Sequence, residues 1–165
     1  TLSAMKLGYN SVPKKCDLLL LGEMGISNTT SATAIACALF KTSVKKWTGL
    51  GTGISEKNLK NKISVIQKGL KLHGKKFDSV IEILSCFGGR EMAAIVGSVI
   101  AARVRGIPIL LDGFVTVSLI KFTIIINKNM NMILLVIRRV IFLALKFRNL
   151  LDSQNIDQFV LCKNY

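Results

Sequence analysis

The sequence predicts an α/β domain built on a parallel sheet, and three observations carry that prediction. Two short apolar runs, Leu18–Leu21 and Ile109–Leu111, each end in an acid and a glycine, Glu23 with Gly25 and Asp112 with Gly113. Strands of a parallel sheet read as such unbroken apolar runs, and the carboxyl ends of strands are where open parallel sheets bind ligands. Each run also adjoins a segment of small residues, 31–39 after the first and 91–104 before the second, that suits a close-packed helix. Finally, all 13 glycines lie at or before Gly113, and both prolines, Pro13 and Pro108, fall in the same front part. Residues 1 to about 115 are therefore punctuated as an α/β domain is, and the remainder is not.

Taken in chain order, Ser11-Val12-Pro13 breaks the chain just before the first strand, Asp17–Leu21, which reads as buried. Gly22-Glu23-Met24-Gly25 then forms a tight turn, and Asn28-Thr29-Thr30 leads into a helix over about 30–40. A strand, a turn and a helix start aim free backbone N–H groups and a positive dipole end at whatever lies over the strand, which suits a phosphate. A plain phosphate cradle does not want a carboxylate, so Glu23 points to chemistry beside an anion. Thr48–Gly53 is a second glycine-rich loop. Ser55 or Asn58 starts a helix that runs to about Leu72, with Leu59, Ile63, Ile66 and Leu70 on one face. A shorter apolar helix pattern covers Phe77–Leu84 and meets Cys86-Phe87-Gly88-Gly89. Glu91–Val104 reads as another helix, and Gly106-Ile107-Pro108 feeds the second strand.

The tail from Thr116 is rich in Ile, Leu, Val, Phe, Asn and Lys. Ile133–Phe147 is the most membrane-like stretch, yet Arg138-Arg139 interrupts it and no uncharged run approaches the roughly 18 residues a span needs. Two arginines near a bilayer centre cost about 5–7 kcal/mol on insertion scales. The net charge of +14 suggests an anionic partner. The lysines, however, come in scattered pairs (Lys14-Lys15, Lys45-Lys46, Lys75-Lys76) without aromatic interleaving, so a solvated basic surface accounts for them. The four cysteines are widely spaced, and His73 is the one histidine of the chain. That excludes a zinc-ligand pattern and gives no support to a Cys-His pair. Idle thiols fit a reducing compartment, the cytoplasm. Thr1–Lys6 carries no apolar signal-peptide core, and the absence of an initiator Met suggests a fragment.

Several features also have plain structural readings. Gly49-Leu50-Gly51-Thr52-Gly53 is not G-x-G-x-x-G, and Gly22–Thr30 lacks the lysine of a P-loop, so each serves equally as an ordinary strand–helix turn. His73, followed by Gly74, reads as the last residue of a helix before its cap. Cys37 and Cys86 sit in apolar settings and read as core. Glu91 suits a helix first turn, where an acid complements the dipole. Asp112 ends a buried strand beside a glycine, a position at which a carboxylate usually has a partner, functional or structural.

Together these segments resemble one family, the nicotinate-nucleotide–dimethylbenzimidazole phosphoribosyltransferases of cobalamin nucleotide-loop assembly. The matching strings are Leu20–Thr30, Gly51-Thr52-Gly53 with Leu59 and Lys62, Phe87-Gly88-Gly89-Arg90-Glu91-Met92-Ala93-Ala94, and Ile107–Phe114, in family order over about 110 residues. The resemblance implies a doubly wound α/β domain, a parallel Rossmann-like sheet flanked by helices, here a partial domain over 1–115. It further implies a homodimer with its active site at the strand C-terminal ends. The implied reaction moves phosphoribose from nicotinate mononucleotide to 5,6-dimethylbenzimidazole, releasing nicotinate and giving α-ribazole phosphate. No cofactor or metal is implied, and no nucleic-acid or membrane partner. Gly25, Ser27, Asn28, Thr29 and the N–H groups of their turn are expected to hold the 5′-phosphate, with Lys62 as the charged partner that the family's matching lysine supplies. Glu23 is the catalytic candidate, stabilising positive charge that develops on the ribose or orienting the incoming base. Gly51, Thr52, Gly53, Gly88 and Gly89 let backbone approach the ligand closely, and Asp112 and Gly113 complete the binding set.

The sequence departs from the family pattern at both ends. The segment expected to precede Thr1, with part of the benzimidazole pocket, is absent. The match also stops after Phe114–Val115, leaving 116–165 as an aberrant, poorly specified apolar tail. The resemblance leads one to expect a Ser-His-…-Glu-Pro-Gly segment, with the general-base glutamate, and a later Gly-Glu-Gly-Thr-Gly loop. No glutamate follows Glu91. Little or no activity is therefore expected of this chain. The competing readings are a non-catalytic remnant that binds a phosphorylated nucleotide through the Glu23 loop, and a basic surface-binding protein that uses the tail. A frame change in an AT-rich gene accounts for the tail economically. Were Met132–Ile137 encoded ATG-ATT-TTA-TTA-GTC-ATA, reading from the third base would give Asp-Phe-Ile-Ser-His, the next expected pattern. The nucleotide sequence checks this: the shifted frame should go on to encode Glu-Pro-Gly and Gly-Glu-Gly-Thr-Gly, and a frame with neither rejects it.

Overall fold

The computed structural model describes residues 1–23, 25–50, 55–73, 77–120, 134–136 and 159–160. Its centre is a parallel sheet in the order β1-β2-β3-β4, formed by Leu19–Leu21, Ile109–Leu111, Leu134–Val136 and Phe159–Val160. Leu19, Leu20 and Leu21 of β1 register against Ile109, Leu110 and Leu111 of β2. The ladder is closed at one end by Leu19 N–H donating to Pro108 O (2.9 Å) and at the other by Asp112 N–H donating to Leu21 O (2.9 Å). This is the α/β architecture expected. One feature of β1 differs from expectation: it is an edge strand, and Leu20 is 65% exposed. The unbroken leucine run predicts burial on both faces, but the more enclosed strand is β2, with Ile109 and Leu111 fully buried on one face and Leu110 half-buried on the other.

Seven helices surround the described strands. α2 (Asn28–Phe40) and α6 (Arg90–Val104) are the two small-residue helices, and both are deeply buried. Their alanines let neighbours pack close on several sides, which a single apolar stripe would not allow. α2 stops at Lys41 in a left-handed conformation, and the four-residue α3 (Val44–Trp47) returns Trp47 to stack on Phe40, ring centroids 5.2 Å apart. α4 (Glu56–His73) buries Ile66 and half-buries Leu59, Ile63 and Leu70, the face read from their spacing. It ends at His73, which meets Phe87 edge to face. α5 (Val80–Phe87) begins three residues later than its apolar pattern, because Ser79 caps it: Ser79 Oγ accepts from Glu82 N–H (3.3 Å) while Glu82 Oε2 accepts from Asp78 N–H (3.0 Å). Cys86 lies on the outer face of α5 and is exposed, so the expected core position is corrected there. Cys37 is buried as expected, and burial pushes its thiol up to about 11. α7 (Phe114–Ser118) follows β2 directly. Among the described residues no helix is long and apolar enough to cross a membrane.

α1 (Leu2–Ser11) was not legible in the sequence, because the face it buries is made of Met5 and Gly8 and carries no apolar repeat. It docks on α6 backbone to backbone. A Cβ at Gly8 would stand 1.9 Å from Ala94 O, and one at Gly97 would stand 1.9 Å from Met5 O. Ser98 Oγ donates to Gly8 O (2.9 Å), and Arg105 donates to Val12 O while its guanidinium lies 5.1 Å from the centre of the Tyr9 ring. Extra atoms forced into such a contact typically cost about 1–3 kcal/mol. Gly97→Ala should therefore destabilise the chain by about 2 kcal/mol or more, whereas Gly22→Ala, which has nothing within 4 Å, should stay within about 0.5 kcal/mol. Urea denaturation followed by circular dichroism measures both.

Candidate active site

The turn after β1 is organised by one carboxylate. Glu23 is half-buried, and its Oε2 accepts from Gly25 N–H (2.8 Å) and from the Asn28 side-chain amide. Asn28 is itself buried, at 8% exposure, at the first position of α2. Gly25 is required here for a steric reason: a Cβ would stand 2.4 Å from Asn28 Nδ2, where the amide must pass to reach Glu23. The other oxygen of the carboxylate, Oε1, faces the end of β2, and a Cβ on Gly113 would lie 3.9 Å from it. The β1–β2 register thus joins the two strand ends that each carry an acid and a glycine.

Ser27 precedes α2 with φ 68° and ψ 0°, and its side chain makes no cap hydrogen bond. Its carbonyl accepts from Thr30 N–H (3.1 Å). The Asn28 and Thr29 amides precede that bond and, among the described residues, have no acceptor, as befits the first donors of a helix. Lys62 reaches this point from the second turn of α4. Its Nζ donates to Thr29 Oγ1 (2.9 Å) and, at the 3.5 Å limit, to Gly49 O. Both acceptors are neutral. Burial lowers the Lys62 pKa from its ordinary value, and no carboxylate among the described residues offsets that burial. The half-buried ammonium beside open amides is an arrangement suited to an anion.

The structure brings together Glu23, Gly25, Ser27, Asn28, Thr29, Lys62, Asp112 and Gly113. The Gly25 N–H is already bonded to Glu23, which leaves the amides at the start of α2 as the donors without an acceptor among the described residues. Asp112 works through its backbone: its N–H bonds Leu21 O, and its carbonyl accepts from Thr116 Oγ1 (2.6 Å). Its exposed carboxylate has no hydrogen-bond partner among the described residues, which leaves the functional alternative open for it. Gly113 adopts φ +94°, which a side chain would strain. Gly88 and Gly89 form the α5–α6 junction, where a Cβ on Gly88 would strike Leu84 at 2.6 Å and one on Gly89 the Glu91 carboxylate at 2.3 Å. Glu91 lies back over the first turn of α6, as its position suggests. Gly51, Thr52 and Gly53 lie outside the described residues. Gly49, whose carbonyl approaches Lys62, was not singled out by sequence; only its place in the glycine-rich loop marked it. Among the described residues no three His, Cys, Asp or Glu side chains come together as a metal site would need.

A family model described as "Phosphoribosyltransferase" matches residues 1–139. The nicotinate-nucleotide–dimethylbenzimidazole phosphoribosyltransferase of Mesorhizobium japonicum is 50% identical over 114 residues, which are 69% of this chain and 34% of that protein. The protein of the same name from Ruegeria sp. is 47% identical over 114 residues, 69% of this chain and 33% of the relative. The crystal structure of CobT from Thermus thermophilus superposes with a TM-score of 0.72 at 27% identity, covering 82% of this chain and 40% of that one. The chain thus spans about a third of the length of the curated relatives it matches.

The left-handed Ser27 gives a direct check on the turn. A side chain in that region costs about 1–2 kcal/mol, part of which a glycine returns through its freer unfolded state. Ser27→Gly should therefore raise stability by about 0.5–1 kcal/mol, although most substitutions destabilise. A rise in the thermal midpoint, measured by calorimetry, confirms the strained turn; a fall of that size rejects it.

Proposed function

The chain belongs to this phosphoribosyltransferase family, and from that membership we propose that its Glu23–Lys62 site binds nicotinate mononucleotide by the 5′-phosphate. The observation that carries the reading is Lys62, a half-buried ammonium held against neutral oxygens beside the open amides of Asn28 and Thr29. A phosphate supplies the charge this cation lacks and fills the orphan donors in the same step. The ribose then extends toward Glu23 Oε1 and Gly113. In the family reaction the bond from C1′ to the nicotinate nitrogen breaks, and nicotinate leaves with the bonding pair. The unprotonated benzimidazole nitrogen bonds to C1′ through its lone pair, and the proton is lost from the other ring nitrogen. A carboxylate at Glu23 Oε1 would stabilise the positive charge that builds on the ribose between these events.

The receiving half of that reaction has no candidate here. No glutamate follows Glu91, so nothing on this chain matches the expected general base. The proposed activity of the 165 residues is therefore donor binding with little or no transfer, carried by residues 1–115, although the family match runs on to residue 139 and β3 and β4 continue the sheet. The same reading makes the protein a cytoplasmic homodimer that handles nicotinate mononucleotide and a benzimidazole-type base, with no nucleic-acid or membrane partner.

Calorimetric titration with nicotinate mononucleotide tests the phosphate site. A hydrogen bond to a charged group contributes about 1.5–3 kcal/mol, so Lys62→Met should weaken binding at least about tenfold. Unchanged affinity would reject the phosphate assignment. Chromatography of a reaction with 5,6-dimethylbenzimidazole should show no α-ribazole phosphate above a Glu23→Gln control. Robust product lost in that control would instead make the chain a working transferase.

A further inference from the structure

Glu23 and Lys62 are opposite charges, both half-buried, and both contact the first turn of α2, yet they do not pair. A long lysine side chain near a partly buried carboxylate would ordinarily close on it, since the attraction strengthens as water is removed. Each charge is instead held by a neutral side chain. Asn28 donates its amide to Glu23 Oε2, and the adjacent Thr29 accepts from Lys62 Nζ at 2.9 Å. Consecutive helical residues project about 100° apart around the axis, so the two grips hold their charges on different faces of the turn.

We propose that Asn28 and Thr29 are paired positioning residues that keep the Glu23 carboxylate and the Lys62 ammonium apart, so that each stays free for the substrate. The residue types fit the task. An amide can hold a carboxylate and a hydroxyl can hold an ammonium, and neither cancels the charge it holds. Asp at position 28 would repel Glu23, and Lys there would neutralise it. The surrounding turn is shaped to the same end, because a side chain at Gly25 would occupy the space of the Asn28 amide. The side chains of Asn28 and Thr29 thus act through Glu23 and Lys62, while their backbone amides stay available to the phosphate. This inference rests on the proposed phosphate role of Lys62 for its consequence, but not for its geometry.

Two readouts on the full 165-residue chain test it: the affinity for nicotinate mononucleotide, and the pH titration of Lys62 Nζ followed by ¹⁵N NMR. In Asn28→Ala the released carboxylate should capture Lys62, weakening binding about tenfold and raising the Lys62 titration midpoint. The double variant Asn28→Ala/Glu23→Gln should restore both to within about threefold of Glu23→Gln alone, a recovery that a purely structural Asn28 would not show. Thr29→Val should weaken binding about fivefold and Thr29→Ser should restore it, because only the hydroxyl matters. Asn28→Ser repeats the first arm should Asn28→Ala not fold. The proposal is overturned if the loss in Asn28→Ala persists in the double variant, or if the Lys62 resonance does not move. A Lys62 resonance that moves as expected while Lys62→Met leaves wild-type affinity intact would sustain the charge separation and reject the phosphate role.

Discussion

The parallel pairing of β1 with β2 is the constraint on which the site depends. Three residues from each strand take part, and the terminal bond from Asp112 N–H to Leu21 O brings the two chain reversals side by side. One reversal carries Glu23 and the other Gly113. A slip of one residue would turn each side chain to the opposite face and separate Glu23 Oε1 from the Gly113 backbone. The register is held by burial: Ile109 and Leu111 are fully enclosed, so moving β2 would expose apolar surface worth about 1.5–3 kcal/mol per side chain. β1, the edge strand, follows β2.

Around that pair, helix packing decides where the cation arrives. Lys62 lies 33 residues beyond Thr29, and they meet because α4 packs against α2, with Ile66 buried in the core and Ile63 packed against it. A lysine one position away would project about 100° round the helix, out of this contact. The small side chains of α2 serve the same purpose. Larger ones would push α4 outward and leave Lys62 short of the first turn.

Much of this was legible in the sequence. The apolar runs ending in acid and glycine placed both strands, and the spacing of Leu59, Ile63, Ile66 and Leu70 gave the buried face of α4. The parts that could not be read share a physical cause, dependence on tertiary contacts that leave no local pattern. α1 packs through Gly8, a residue that read locally signals a break. β1 is exposed at Leu20 because of its place in the sheet order, which its composition does not encode. Cys86 faces outward because Ser79 sets the start and rotation of α5. In the site, the residue types of the Glu23 turn were recognisable, whereas the division of labour among them was not. Which oxygen of Glu23 is bonded, and that Thr29 holds Lys62, are facts of side-chain geometry.

That division also bears on how one short turn could carry an acid beside the anion site proposed for it. A carboxylate beside a phosphate would ordinarily weaken binding by like-charge repulsion. Here Oε2 is occupied by two donors, which disperse its charge into the turn, while Lys62 is held by the hydroxyl of Thr29, the next residue along. The repulsion is reduced by local hydrogen bonding and does not require a counterion from elsewhere in the protein. The Gly22–Thr30 segment, with Lys62, is therefore an electrostatically self-sufficient unit: its acid and its cation are each held by neutral neighbours.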